Sequence, residues 1–518
     1  MAALAQSFAD KLSDLWGLSY LSLAISLVVA AYVARTIQYA LFSPLARIPG
    51  PFINKFTNLP FVYHLFTGQI HSYSCKLHDQ YGEVVRIGIN QVSLSNPSDT
   101  RLVLATHAFP KSPLYEKGKV IDINMFSTAD PELNKTRRRQ LGGAFSMASL
   151  RDIEDVTMEV GVKSLMRAWD AAIERNGKTA CINYFYMFHY MTFDTIGLLA
   201  FGRSFDILET GNTEVIDWFK DIFRFKNAVR IFPIVRHIPW LYPKLKRSRY
   251  NLICIIRNAV AARRQLVSET GIPPRIDIMQ KFIDAVDPAT GDKLTETQLL
   301  SELITMLVAG TDTTATTLSW TIMHMLNNPH VYRRVTDEVR SQFPDTAKPI
   351  LFGEAKSKLP YLSAVLQESM RLTSVSSGLI PRTLPRDGAT IQGYFMPHGT
   401  HIALTFAACH HNTSVWKHPG TFDPERFLGK DADENAKSVL TFSTGVRICA
   451  GRNLALVEMY TTLANILRRY NISLPSDSPY GPHRKDERGA PITIPGKSDG
   501  VYGPENPKVN CLINISLA

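Results

Sequence analysis

One cysteine lies where a reactive thiol would be expected. Cys449 sits between Gly445 and Gly451, directly before a stretch of helical periodicity from Arg452 to about Arg469. The positive end of a helix and its unpaired N–H groups favour a thiolate and lower the thiol pKa. The glycines allow a tight loop and close approach of a flat ligand. Arg447 offers a guanidinium that can bind a carboxylate through two hydrogen bonds.

A second segment places an acid beside an alcohol inside a long apolar helix. Asp312 precedes Thr313, and Ala309 and Gly310 stand before them, which leaves room over a ligand. The pair suits a relay that donates protons to a reacting group. Threonine is a mediocre helix former, so five threonines in the seven residues from Thr311 to Thr317 are not explained by helix propensity. The alternative is that a threonine hydroxyl bonds a carbonyl one turn earlier and bends the helix.

Two further patterns are less specific. Glu368 and Arg371 are three residues apart, so on a helix they share a face and can form an ion pair, although such pairs are common on exposed faces. The segment from Asp130 to Arg139 contains three consecutive arginines, of which one is expected to be merely solvated.

Together these segments resemble the cytochrome P-450 family. Phe442 to Gly451 matches F-x-x-G-x-R-x-C-x-G at every specified position, and Ala309 to Thr314 matches A/G-G-x-D/E-T-T/S. Glu368 to Arg371 matches E-x-x-R, and the P-E-R motif follows within Phe422 to Phe427, in the family's order. The segment Phe193 to Gly202 is similar to the family's E helix. The resemblance implies a fold that is mainly α with small β-sheets, preceded here by one N-terminal transmembrane helix.

The resemblance also implies a haem b cofactor and roles for single residues. Cys449 would be the proximal iron ligand, and Asp312 and Thr313 the catalytic acid and alcohol. Glu368, Arg371 and Arg426 would form a buried structural network behind the haem. Asn134 stands where the family usually has Trp or His, which weakens one expected hydrogen bond to a propionate. The other residues expected to bind the cofactor are Arg138, Arg382, Phe442, Arg447 and Gly451.

The N-terminus predicts a single-pass membrane anchor. Leu15 to Ala34 is a charge-free stretch of twenty residues, long enough at about 1.5 Å per residue to cross a bilayer core of about 30 Å. Basic residues follow the stretch, so the next domain should face the cytosol. We therefore expect a luminal tail over 1–14, an anchor over 15–34, a proline-rich hinge over 35–51 and one catalytic domain over 52–518, at the endoplasmic reticulum membrane.

Composition narrows the choice of partners. The formal net charge is +11, but no zinc-finger spacing, RNA-binding signature or long basic tract is present, so nucleic acid is not expected. The six cysteines are dispersed without C-x-x-C pairs, which indicates reduced thiols rather than a disulfide framework. The stretch Phe223–Tyr250 mixes apolar and basic residues, and it fits a membrane-surface loop and a solvated helix-loop-helix equally well.

The function implied by the resemblance is monooxygenation of a lipophilic small molecule: a terpenoid, polyketide or alkaloid of secondary metabolism. No dinucleotide-binding G-x-G-x-x-G follows a strand, so NADPH electrons should come from a separate flavoprotein reductase. Two alternatives are a haem-thiolate isomerase or dehydratase without a reductase and a non-catalytic haem-binding membrane protein. The substrate is expected to contact four segments: Ala105–Phe126, Phe205–Tyr250, Ser376–Ile380 and the loop near Ala490.

Overall fold

The computed structural model describes residues 2–117, 119–231, 238, 240, 243–376, 379–486 and 491–518. The chain is mostly helical with small sheets, as predicted. The α-helices are α1 (Ala2–Phe42), α2 (Leu59–Phe66), α3 (Ile70–Tyr81), α4 (Pro97–Leu104), α5 (Leu114–Lys117), α6 (Pro131–Leu141), α7 (Met147–Arg151), α8 (Glu154–Val156), α9 (Ser164–Asn176), α10 (Tyr184–Phe201), α11 (Ile207–Thr210), α12 (Glu214–Ile231), α13 (Pro243–Thr270), α14 (Ile278–Ile283), α15 (Glu296–Asn327), α16 (Pro329–Gln342), α17 (Phe352–Lys358), α18 (Pro360–Leu372), α19 (Phe406–His411), α20 (Ala432–Ser438), α21 (Arg452–Arg469) and α22 (Pro507–Asn510).

The strands form one four-stranded sheet, one three-stranded sheet and three hairpins within the described ranges. The larger sheet has the order β1-β2-β7-β4, in which β2 and β7 are parallel and the other pairs antiparallel. The second has the order β3-β13-β8. The strands are β1 (Val84–Gly88), β2 (Gln91–Leu94), β3 (Ala180–Asn183), β4 (Ile380–Thr383), β5 (Ala389–Ile391), β6 (Tyr394–Met396), β7 (His401–Leu404), β8 (Tyr470–Ser473), β9 (Gly481–Lys485), β10 (Pro491–Ile492), β11 (Gly496–Asp499), β12 (Val501–Pro504) and β13 (Leu512–Leu517).

Helix α1 is longer than the predicted anchor. It runs without a break from Ala2 to Phe42, and its part from Ser22 to Phe42 is exposed and apolar enough to cross a membrane. The non-helical connection therefore begins at Ser43, and not at residue 35 as predicted. Pro44 to Arg47 then forms a 3₁₀ turn, because proline is tolerated at the first position of a helix.

The long helix α15 joins the two largest hydrophobic clusters. Thr295 stands three residues before Gln298, a sequence pattern that predicts a capping box, and both of its hydrogen bonds are present: the Thr295 side chain accepts from the Gln298 N–H, while the Gln298 side chain accepts from the Thr295 N–H. The residues from Leu299 to Leu307 pack with α12, α13 and α14, and those from Ala315 to Leu326 pack with α16, α18 and α21. Burial lapses between the two clusters, where Ala309 is exposed and its neighbours are only partly buried. That gap marks the stretch of the helix that can meet a ligand.

Several local predictions are confirmed. Helix α21 runs from Arg452 to Arg469, as its periodicity predicted, and the β1–β2 hairpin turns at Gly88 to Asn90, whose glycine and asparagine favour a turn. The E-helix-like segment forms the end of α10, with Gly202 as its C-cap. All six cysteines are free thiols. The connection between α12 and α13, over most of 232–242, lies outside the described residues, as do residues 377–378 and 487–490 of two expected substrate-contact segments.

Candidate active site

The cysteine loop is closed by backbone contacts. The Cys449 N–H donates to the Phe442 carbonyl at 2.8 Å, and Gly451 caps α21. Gly445 has a left-handed backbone (φ +63°), and a Cβ there would lie 2.2 Å from the Leu104 carbonyl oxygen. Close approach of the loop to the end of α4 therefore requires a glycine here.

The predicted lowering of the Cys449 pKa is wrong in its net direction. Burial raises the pKa of the thiol, and this exceeds the opposite effects of the Gly451 N–H donor and of Arg138 and Arg452. Many protein atoms surround the sulfur, yet the side chain remains accessible. The polypeptide alone does not ionise this thiol, so a stronger cation at the sulfur is needed to hold it as a thiolate.

Three arginines from separate elements gather near this loop. Arg138 lies on α6 and donates through Nη2 to the Ile448 carbonyl, Arg382 lies on β4, and Arg447 precedes the cysteine. Burial, together with repulsion by Arg382 and Arg138, lowers the pKa of Arg447 to about 10. No ion pair joins any of the three to a carboxylate within the described ranges.

Several guanidinium nitrogens of this arginine cluster (Arg138, Arg382 and Arg447) have no partner. Arg138 Nε, Arg382 Nη1 and both Nη atoms of Arg447 are buried without a hydrogen bond to any described residue. Leaving buried charged donors unsatisfied is costly, so the cluster is built for an anion that accepts several hydrogen bonds.

Sequence reasoning missed two members of this region. The backbones of Lys111 and Arg382 form an isolated antiparallel β-bridge. The Lys111 Nζ donates to the Phe126 carbonyl at 2.5 Å and lies over the Tyr115 and Phe126 rings. Tyr115 also interacts with Arg382. Burial, with repulsion from Arg382, Arg447 and Arg138, holds the pKa of Lys111 well below its usual range. No local sequence signal marked Lys111, because it lies before α5 and reaches Arg382 only through a long-range backbone bridge.

None of the three consecutive arginines is merely solvated, contrary to expectation. Arg137 is buried with Nε 3.7 Å from Glu302, and Arg139 pairs with Asp287 at 2.9 Å. Asn134 is fully buried, and its Nδ2 donates to the Met125 carbonyl at 3.0 Å. The Asn134 amide donor is thus used on a neighbouring loop.

Asp312 and Thr313 lie in the gap in burial on α15. Thr313 Oγ1 donates to the Ala309 carbonyl at 2.7 Å, the back-bond expected of a helical threonine. Asp312 Oδ1 lies 3.7 Å from His189 Nε2 on α10. No hydrogen bond joins the Asp312 and Thr313 side chains among the described contacts, since adjacent helical residues point about 100° apart.

Gly310 has a different role from the one expected. A Cβ there would lie 2.8 Å from Ile196 Cδ1 on α10, so the glycine lets the two helices pack closely. The accessible position over the gap is Ala309.

Behind the cysteine loop, the predicted ion-pair network is complete. Arg371 donates to both Glu368 oxygens at 2.7 Å and to the carbonyls of His410, Pro419 and Thr421. Arg426 Nε donates to Glu368 Oε1 at 3.3 Å. Glu368 and Arg371 are both fully buried.

Several known proteins are similar to this chain. The sequence model described as Cytochrome P450 matches residues 49–495. The chain belongs to the cytochrome P450 family. It is 34% identical to cytochrome P450 monooxygenase helB3 of Aspergillus fumigatus, over 95% of this chain and 97% of that protein. It is 33% identical to monooxygenase helB1 of the same fungus, over 96% of this chain and 86% of that protein.

A solved structure agrees on the fold. The cytochrome P450DA haem domain superposes with a TM-score of 0.76 at 19% identity, over 91% of this chain and 98% of that one. The protein is thus a fungal-type P450 monooxygenase, and the family implies haem. The residues fit that group, because the unsatisfied arginine cluster matches carboxylate side chains and the accessible Cys449 matches a thiolate ligand.

Proposed function

We propose that the protein inserts one oxygen atom of O2 into a lipophilic small molecule of the terpenoid, polyketide or alkaloid type, within secondary metabolism. Electrons would come from NADPH through a separate flavoprotein reductase. The observation that carries this proposal is the placement of Asp312 and Thr313 at the gap in burial on α15, on a scaffold that also presents Cys449. An isomerase or a mere haem carrier has no need for an acid and an alcohol there.

The haem would be held by residues already described. Cys449 would ligate the iron, and Arg138, Arg382 and Arg447 would bind the propionates through their unsatisfied nitrogens. Phe442 and Gly451 would bound the ligating loop. When bound, the group supplies activation of dioxygen by a thiolate-ligated iron. Glu368, Arg371 and Arg426 would hold the loop's surroundings without touching the reaction.

The protein's part in the reaction is proton delivery. Asp312 would donate the protons. The Thr313 hydroxyl would direct their path, because it donates its own hydrogen to the Ala309 carbonyl and keeps its lone pairs free to accept a hydrogen bond. Because the two side chains do not touch, a water molecule would connect them.

The expected substrate segment Ala105–Phe126 is fastened to the first half of α15. Ser301 Oγ donates to the Asp122 carbonyl at 2.8 Å, and the Met125 N–H donates to Glu302 at 2.8 Å. Val120 and Ile121 pack against the same cluster as the first half of α15. These apolar contacts favour a lipophilic substrate.

The N-terminal helix would anchor the protein in the endoplasmic reticulum membrane with the catalytic domain in the cytosol. The exposed apolar stretch Ser22–Phe42 supports a membrane span. A removable signal sequence is the alternative, and the size of the mature protein in microsomes separates the two.

Turnover tests the reaction class. The full-length protein in microsomes should convert lipophilic candidates, first chosen by binding spectra, only with NADPH, O2 and the reductase. Product formation without reductase or NADPH would favour the isomerase or dehydratase, and no product from any binding compound would favour a haem carrier.

Replacement of Thr313 tests the relay. Thr313→Ala should keep haem bound but divert NADPH into hydrogen peroxide instead of product. Thr317→Ala is the matched control, because Thr317 makes the same back-bond, to Thr313 at 2.8 Å, from a buried position. Unchanged coupling in Thr313→Ala would remove this hydroxyl from the relay.

A further inference from the structure

The acid on α15 faces a histidine. His189 lies on α10, which packs along α15, and its Nε2 is 3.7 Å from Asp312 Oδ1. The His189 side chain is 11% exposed and that of Asp312 29% exposed, so this histidine–aspartate pair is partly withdrawn from solvent. The imidazole also packs on the Phe185 ring, with centroids 4.1 Å apart.

The other ring nitrogen of His189, Nδ1, already forms a hydrogen bond. Nδ1 lies 2.7 Å from the Phe185 carbonyl oxygen, which can only accept, so Nδ1 carries a proton. In the neutral imidazole, Nε2 therefore has a free lone pair, and that lone pair is on the side of Asp312. The hydrogen bond to Phe185 fixes both the tautomer and the orientation of the ring.

The surroundings favour a single proton shared within the pair. Burial lowers the pKa of His189 and raises the pKa of Asp312, and the attraction between the two groups opposes both shifts. Two charged groups act from other elements: Lys220 on α12 lowers both pKa values, and Asp499 on β11 raises that of Asp312. Both net shifts favour the neutral pair, a carboxylic acid with a neutral imidazole, over a carboxylate with an imidazolium.

We propose that His189 is a positioning residue that orients Asp312 and sets its protonation, so that proton supply to the site depends on a titrating histidine. This inference rests on the proposed function. An arginine or lysine at this position would keep a permanent cation against Asp312 and hold it as a carboxylate. An imidazole exchanges its proton near neutral pH, and Nε2 can pass a proton to Asp312 after the acid has donated its own.

The proposal predicts how dioxygen reduction divides between two products. Two electrons and two protons give hydrogen peroxide, whereas four of each give two water molecules. When Asp312 is not reprotonated, more peroxide is released for each NADPH oxidised. As pH rises, the pair loses its shared proton, so the peroxide fraction of the wild type should rise with pH. Because burial holds the pKa of His189 below its usual 6.5 and the pKa of Asp312 above its usual 3.8, we expect that rise between about pH 4 and about pH 6.5.

The experiment uses full-length protein in bilayers with the reductase and NADPH, without added substrate, and measures peroxide released per NADPH oxidised against pH. His189→Gln should raise this ratio at least about twofold at the acid end of that range, where the wild-type pair still holds its proton, and should flatten the pH dependence. His189→Arg should give a high, flat ratio, because the fixed cation keeps Asp312 deprotonated. Both should retain the absorption of the thiolate-ligated, carbon monoxide-bound protein, which a misfolded variant would lose.

A matched control is His411→Gln. His411 is a partly buried histidine whose Nδ1 lies 2.9 Å from the carbonyl four residues earlier, but it lies on α19, where its neighbours include His71. It should keep the wild-type ratio. A wild-type ratio and pH profile in His189→Gln would overturn the inference. If His189→Arg does not take up haem, the comparison of wild type with His189→Gln decides alone. Absence of reductase-dependent NADPH oxidation in the wild type would overturn the proposed function, and this inference with it.

Discussion

Arg371 and Arg382 are both buried arginines, 0% and 2% exposed, but their charges are balanced differently. Arg371 donates to Glu368 and to three backbone carbonyls, so the polypeptide satisfies it completely. Arg382 keeps one nitrogen without a partner in the described structure, and it lies beside Arg447, which keeps two. In the first region the protein itself balances the buried charge, whereas the second region needs an anionic ligand to do so.

A substitution in the Glu368–Arg371 region should have the largest effect on stability. Glu368→Ala would leave Arg371 as an uncompensated buried charge, which costs about 3–5 kcal/mol, so we expect little folded, haem-loaded protein. Urea unfolding followed by haem absorbance measures this. Glu354→Ala, which removes an exposed pair with Lys358, should cost about 0.2–1 kcal/mol. Equal losses of unfolding free energy in the two variants would contradict the difference between a buried and an exposed ion pair.

A buried acid on α21 gives a third case, a charge-bearing group that is neutral because it is buried. Glu458 on α21 is 2% exposed, and neither oxygen forms a hydrogen bond with a described residue. Thr314 is near enough to lower the pKa of Glu458 slightly, although its hydroxyl lacks hydrogen-bond geometry. Burial dominates and raises the pKa of Glu458 to about 8, so the group is neutral at pH 7.

The pH dependence of stability follows from that shift. Because the folded pKa is raised, the stabilising contribution of the proton is present below about pH 4.5 and is lost as pH rises through about 8. Between about pH 5 and about pH 9, the free energy of unfolding should fall by about 2–4 kcal/mol more in the wild type than in Glu458→Gln. Parallel pH profiles of the urea midpoint would show that Glu458 is already ionised.

The ligand-dependent region should respond in haem retention more than in folding. Arg382→Ala would remove a charged hydrogen bond worth about 1.5–3 kcal/mol, so haem loss to an acceptor protein should be roughly 10–100-fold faster. Arg386→Ala, an exposed arginine four residues on, should retain haem normally. Normal retention in Arg382→Ala would remove this arginine from the anion site.

The sequence predicted elements and motifs whose signals are local. The capping box at Thr295 and Gln298 fixed the start of α15, and the cysteine loop identified the family. It did not predict that Gly310 serves contact with Ile196, or that His189 faces Asp312. Those depend on how α10 packs against α15, which periodicity does not encode. Likewise, the raised pKa of Cys449 arises from burial by the whole fold, whereas helix position alone predicted the opposite.

The central claim is that Cys449 presents a thiolate to a haem iron held by the arginine cluster. The direct measurement is the difference spectrum of the reduced, full-length protein with and without carbon monoxide. The account predicts the red-shifted Soret band of thiolate ligation in the wild type and its loss in Cys449→Ser. A wild type without that band, or a Cys449→Ser variant that keeps it, would contradict the account.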